Sequence, residues 1–222
     1  MNWKAYHFFP IMGAPLSPEN SMKMDFSPNN KGLESVDLAH TESFYEFVFG
    51  QLEDAGKTFG LGGYLEHRAI YQRSERFETS AADFRNIHLG VDVWAKAGTK
   101  VYCPIEGRVF SIQNNAGFGD YGPTIILKHE LAEKKLYSLY GHLSLTDLAL
   151  FEINQVVKAG ELLCHIGPYP ENGDWPPHLH FQLMFDMLGN TGDFPGVCSQ
   201  RETGKYKTIC PDPNLILRCP LI

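Results

Sequence analysis

The chain has 222 residues, 43% hydrophobic, 13% aromatic and 20% charged, a globular composition that fits one domain with or without an extension. Nineteen Lys and Arg against 26 Asp and Glu give a net charge of −7 with no dense basic run, which argues against nucleic acid as a partner. No apolar run approaches the roughly 20 residues of a spanning helix, so no membrane span is expected.

Residues 1–40 are irregular, interrupted by Pro10, Pro15, Pro18 and Pro28, and read as an ordered arm packed on the main domain. Met1–Pro15 carries one Lys and no apolar block, so it does not read as a secretion leader. Cys103, Cys164, Cys198, Cys210 and Cys219 have no CxxC spacing and read as free thiols, which points to a cytoplasmic setting. Ser43 followed by Glu46 has the spacing of a capping box, Gly56 suits the residue after a helix end, and Phe44, Phe47, Val48, Leu52 and Ala55 recur at helical spacing; one helix is predicted between them.

From about residue 86 the pattern changes to strands between turns: Gly107–Gln113, Thr124–Glu130, Lys135–Leu143 and His178–Asp186. The fold class expected is mainly β, an antiparallel sandwich or partly open barrel with the N-terminal arm and one helix. Residues 1–80 are read as arm and helix, 81–190 as the core, and 191–222 as an extension wrapping it.

Three segments of this half carry candidate chemistry. In His178-Leu179-His180-Phe181-Gln182, alternation puts His178, His180 and Gln182 on one polar face, with Leu179, Phe181, Leu183 and Phe185 on the core face. In His88-Leu89-Gly90-Val91-Asp92, a straight strand would hold the two polar side chains ~13 Å apart, and a bend at Gly90 would bring them together. Imidazole with carboxylate suits a borderline ion such as zinc, although that spacing alone more often reflects chance or a structural hydrogen bond. In Tyr137–Leu143, alternation groups Ser138, Tyr140 and His142, with Tyr140 a further hydrogen-bond donor candidate. His7, His40, His67, His129 and His165 read as structural or solvated.

Taken in order, HxxxD, YGH and HLH resemble the lysostaphin-type zinc endopeptidases, also called LytM-like peptidoglycan hydrolases. Gly98–Val101, Gly107–Val109, Gly119–Gly122 and Gln155–Glu161 are similar to further motifs of that family, so the resemblance runs from about Asn86 to Asp186. It implies a duplicated-hybrid β fold. It also implies one Zn2+ per chain held by His88, Asp92 and His180, a catalytic pair His142 and His178, and a peptide or peptidoglycan-fragment substrate. The approach Pro170–Pro177, with Trp175, departs from the family's glycine- and serine-rich approach and reshapes one wall. Tyr64–Tyr71, Gly192–Gly196 and Pro211–Asn214 look like a less studied subgroup, sometimes fused to an aminotransferase, which implies an intracellular setting. Two rival readings are a non-catalytic binding module on the same scaffold and a histidine phosphocarrier. The N-terminal arm is expected to cover one end of the cleft and restrict it to small substrates.

Overall fold

The computed structural model describes residues 2–80, 83–131 and 134–222. In chain order its strands are β1 Ser21–Lys23, β2 Phe59–Gly62, β3 Glu78–Ser80, β4 Asp83–His88, β5 Val91–Trp94, β6 Lys100–Tyr102 and β7 Gly107–Asn115. They continue with β8 Gly122–Leu131, β9 Lys134–Gly141, β10 Val156–Val157, β11 Leu162–His165, β12 His178–Met184 and β13 Val197–Ser199. The helices are α1 Thr41–Asp54, α2 Leu145–Leu148, α3 Thr203–Ile209 and α4 Asn214–Leu217. No described helix is long and apolar enough to cross a membrane.

An eight-stranded sheet in the order β1-β2-β5-β12-β9-β8-β7-β10 dominates the molecule. β6 and β11 form a two-stranded sheet, and β3, β4 and β13 a three-stranded one. The large sheet is antiparallel except where β1 runs parallel to β2. The four predicted strands form, each within a few residues of its expected limits.

The helix forms as well, but from a different start. α1 begins at Thr41 after His40, with no side-chain cap, and the Ser43 hydroxyl instead accepts from the Asp37 N–H at 3.2 Å. The predicted capping box is therefore absent. Phe44, Val48 and Leu52 are its buried residues, Ala55 is exposed, and the chain leaves through Gly56 at φ +62°.

Alternation along β5 and β12 sorts the core. Val91, Val93, Leu179, Phe181 and Leu183 enter a cluster on one face, shared with Val101, Leu163 and Ile166 around the two-stranded sheet. The opposite face was expected to be merely polar, yet β12 is buried at every position. One apolar cluster on that side joins Trp94 to Phe26, Phe44, Val48 and Leu52, which come from the arm and α1. Another joins Met184 and Leu139 to Phe194, Cys198, Tyr206 and Cys210. The segment from 189 onward thus contributes β13, α3 and buried side chains. The five cysteines are free and buried.

His129 is one polar group of the interior. Its Nδ1–H donates to the Glu106 carbonyl at 2.9 Å, and its Nε2 lies 2.6 Å from the Ser138 hydroxyl. Burial pushes its pKa from 6.5 down to about 4. The unfolded chain then binds the extra proton between those values, so His129's contribution is complete above about pH 6.5 and is lost as pH falls toward 4, up to about 3 kcal/mol. Thermal melts at neutral and acid pH should show a smaller acid loss in His129→Gln than in the unsubstituted chain. Equal losses would contradict this assignment.

Candidate metal centre

Strand register assembles the site. In β12, His180 sits opposite Asp92 of β5 on one side and Gly141 of β9 on the other, and His142 follows directly. His88 ends β4, and the chain crosses from the small sheet to the large one in Leu89 and Gly90. A Cβ at Gly90 would lie 2.6 Å from the His180 ring and 2.8 Å from the Phe181 carbonyl, so a glycine is what lets that ring fit.

The result is a close group. His180 Nδ1 lies 3.0 Å from His88 Nε2 and 3.0 Å from Asp92 Oδ1, and His88 Nε2 lies 3.3 Å from Asp92 Oδ1. The other nitrogen of each ring is committed elsewhere. His88 Nδ1–H donates to the Gly63 carbonyl at 3.0 Å, and His180 Nε2–H donates to Gln182 Oε1 at 2.9 Å. The Gln182 amide is itself fixed, its N–H donating to the Pro195 carbonyl at 3.1 Å. Two lone-pair nitrogens and a carboxylate oxygen therefore face one another with no proton between them, a donor set that fits a cation.

The electrostatics agree. Burial, then the Arg68 charge, pushes His88 down to about 3, so it stays neutral at physiological pH. Burial would raise Asp92, but the Arg68 guanidinium on its other oxygen outweighs it and holds that carboxyl well below the usual carboxylate range. Arg68 is fully buried, donating from Nη1 to Asp92 Oδ2 at 2.5 Å and from Nε to Glu66 Oε2 at 2.8 Å. Asp92 thus offers one oxygen to the site and ties the other to a guanidinium.

His142 and His178 stand beside this group, their ring centroids 4.1 Å apart. His142 Nδ1–H donates to the Asn172 carbonyl at 2.7 Å and His178 Nδ1–H to the Pro176 carbonyl at 2.8 Å, leaving Nε2 as the basic nitrogen of each. Burial lowers both, His178 to about 4, and His178 further depresses His142. His178 also packs flat on Trp94, centroids 3.9 Å apart at 22°.

The route by which His142 arrives corrects the strand reading. β9 ends at Gly141, and His142 takes φ +62°, a left-handed conformation uncommon for a side-chain-bearing residue. The turn, held by its N–H on the Tyr121 carbonyl at 2.8 Å and by the Gly167 N–H on its own carbonyl at 2.9 Å, delivers the ring. Tyr140 lies on the other side of the sheet, its hydroxyl 3.1 Å from Ser138 Oγ and its ring against Phe181, so it is no donor to the site. Tyr121 stands there instead, with its hydroxyl 3.5 Å from His180 Nε2. His129 lies in the interior, and His165 pairs with Asp147 at 3.1 Å.

Asp92, His142, His178 and His180 line a cavity of about 110 Å³ together with Tyr71, Trp175 and residues 193–197. Arg68, Glu66 and Tyr121 were not singled out as site residues from sequence. Arg68 meets a carboxylate 24 positions away through a loop with no periodic pattern, whereas Gln182 was visible on the polar face of β12.

Residues 86–191 match the model of peptidase family M23. No curated protein matches the chain. Among solved structures it is similar to the catalytic domain of lysostaphin from Staphylococcus simulans, at 20% identity over 71% of this chain and 96% of that one, TM-score 0.40. A mutant catalytic domain of the prophage-encoded M23 protein EnpA from Enterococcus faecalis gives 20% identity over 54% and 95%, TM-score 0.38. A zinc-containing peptidase from Vibrio cholerae gives 23% over 44% and 27%, TM-score 0.34. The chain spans only 27% of that Vibrio protein and 44% of a lysostaphin solution structure.

Proposed function

Through residues 86–191 the chain belongs to peptidase family M23, and from that premise we propose that it is a zinc-dependent peptidase hydrolysing a peptide bond in a short peptide or peptidoglycan-type substrate. One observation carries the reading: His88 Nε2, Asp92 Oδ1 and His180 Nδ1 converge as proton-free donors within 4.8 Å of one another. Two imidazoles and a carboxylate suit zinc, and three protein ligands leave a fourth position for chemistry. When bound, zinc polarises a carbonyl and acidifies water. The chain's own contribution is proton handling. His142 and His178, neutral and tethered at Nδ1, have Nε2 available to take the proton released as water attacks and to return it to the leaving amine. In this reading residues 81–190 are the catalytic core, and the flanking segments close around it.

The direct test is metal analysis with a peptide assay. About one zinc per chain, activity lost on chelation and activity restored by zinc are the expected results. Full activity in metal-free protein would overturn the reading.

Arg68 has a separate role in this account. Its pairing with Asp92 Oδ2 keeps that carboxylate oriented, so Arg68→Met should weaken zinc binding about 10–100-fold, as loss of an outer-shell partner does. Arg68→Lys should not restore it, because an ammonium lacks the planar fork that spans Glu66 and Asp92. Chelator competition on the folded variants measures the effect, and unchanged affinity would contradict it.

A further inference from the structure

The walls around the metal centre come largely from outside the family-matched segment. The strap Ile70–Phe77 precedes that segment, and its side chains reach the wall formed by residues 117–121 and 174–175. The Arg73 guanidinium lies 4.4 Å over the Trp175 ring and 4.7 Å over Phe118, and its Nη2–H donates to the Asp174 carbonyl at 3.0 Å. Three residues on, Arg76 pairs with Asp120 at 2.9 Å. In the same strap Tyr71 packs on Phe77 at 4.7 Å and edge-on against Trp175 at 6.3 Å. Toward the C-terminal side, the Tyr121 hydroxyl donates to the Phe194 carbonyl at 3.1 Å, and the Leu89 N–H donates to the Gly196 carbonyl at 2.8 Å. These contacts flank the site on two sides.

The burial of the chemistry follows from those contacts. His142, His178 and His180 are 5%, 3% and 4% exposed. The cavity holds about 110 Å³ between these two flanks. A polymer strand continues on both sides of the bond to be cut, at about 3.3 Å per residue, and so must run past the flanking walls. A short free peptide ends before them.

Resting on the peptidase reading, we propose that this enzyme acts on short free peptides and excludes bonds inside a continuous polymer strand, the Ile70–Phe77 strap being the excluding element. The specificity is negative: steric closure rejects the longer chain without requiring a contact that the shorter one gains.

The test compares a fluorogenic tripeptide with the same sequence embedded in the middle of a long disordered peptide, using zinc-loaded full-length protein. Quenching of tryptophan fluorescence is recorded alongside hydrolysis, since Trp175 stands in the wall. The tripeptide should be cut roughly a hundredfold faster, and it alone should quench. Arg76→Ala and, from the opposite wall, Asp120→Asn should each narrow that ratio roughly tenfold. Equal cutting of both substrates overturns the proposal. So does a ratio unmoved by both variants, or quenching by neither peptide. Quenching by the tripeptide alone, with no hydrolysis of either, overturns the peptidase reading and leaves the short-peptide site standing.

Discussion

His180→Ala is expected to take the protein from about one zinc per chain to near none and to abolish hydrolysis. The reason lies in how few donors converge: among the described residues His88, Asp92 and His180 are the only such cluster. Removing His180 Nδ1 leaves one imidazole and one carboxylate of that cluster. The neighbours do not collapse to compensate, because Asp92 is held by Arg68 and His88 by the Gly63 carbonyl. The substitution also opens space beside Gly90 and frees Gln182 Oε1, changes that ordinarily cost about 1–3 kcal/mol. Metal content is therefore read on protein shown by its melting transition to be folded. Retention of stoichiometric zinc in that protein would sink the ligand assignment.

His178→Ala should behave oppositely, keeping the metal and losing about 10²–10⁴-fold in turnover. Its Nδ1–H is spent on the Pro176 carbonyl, and its Nε2 is not part of the three-donor group. Its ring is stacked between Trp94 and His142, so deleting it removes a placed base without touching His88, Asp92 or His180. The loss should fall on kcat more than on KM, since proton transfer is made only on the way to the transition state. His142→Ala should give the same signature. Zinc loss in either variant, or turnover within a few fold of the parent, would contradict the division between metal-holding and proton-handling residues.

Much of this arrangement is legible in the sequence. The alternation in His178–Gln182 is a local property of a strand, and β12 obeys it: His180 and Gln182 share a face while Leu179 and Phe181 enter the core. The crossing at Gly90 was legible for a similar reason, a glycine between two polar residues with apolar flanks.

What failed did so where non-local contacts overrule spacing. Ser43 and Glu46 have capping-box spacing, but Asp37 takes the Ser43 hydroxyl and the helix starts at Thr41. His142 was grouped with Ser138 and Tyr140 by alternation, yet a left-handed turn sends it to the other face, and Tyr140 is left in the core. The residues of β12 mark that face only as polar. It is covered by aromatic residues of the arm and α1 and by residues 194–210, a packing that no pattern within those segments announces. Arg68 was invisible for the same reason, since its meaning lies entirely in Asp92 and Glu66.

A single ion held by three donors is the centre of the proposed site, and a crystal of the zinc-loaded protein with diffraction recorded across the zinc absorption edge tests it most directly. One anomalous peak is expected, at about 2.0–2.2 Å from His88 Nε2, Asp92 Oδ1 and His180 Nδ1, with His142 and His178 outside bonding distance. A peak lying elsewhere, or one ligated by His142 or His178 in place of His180, would contradict it.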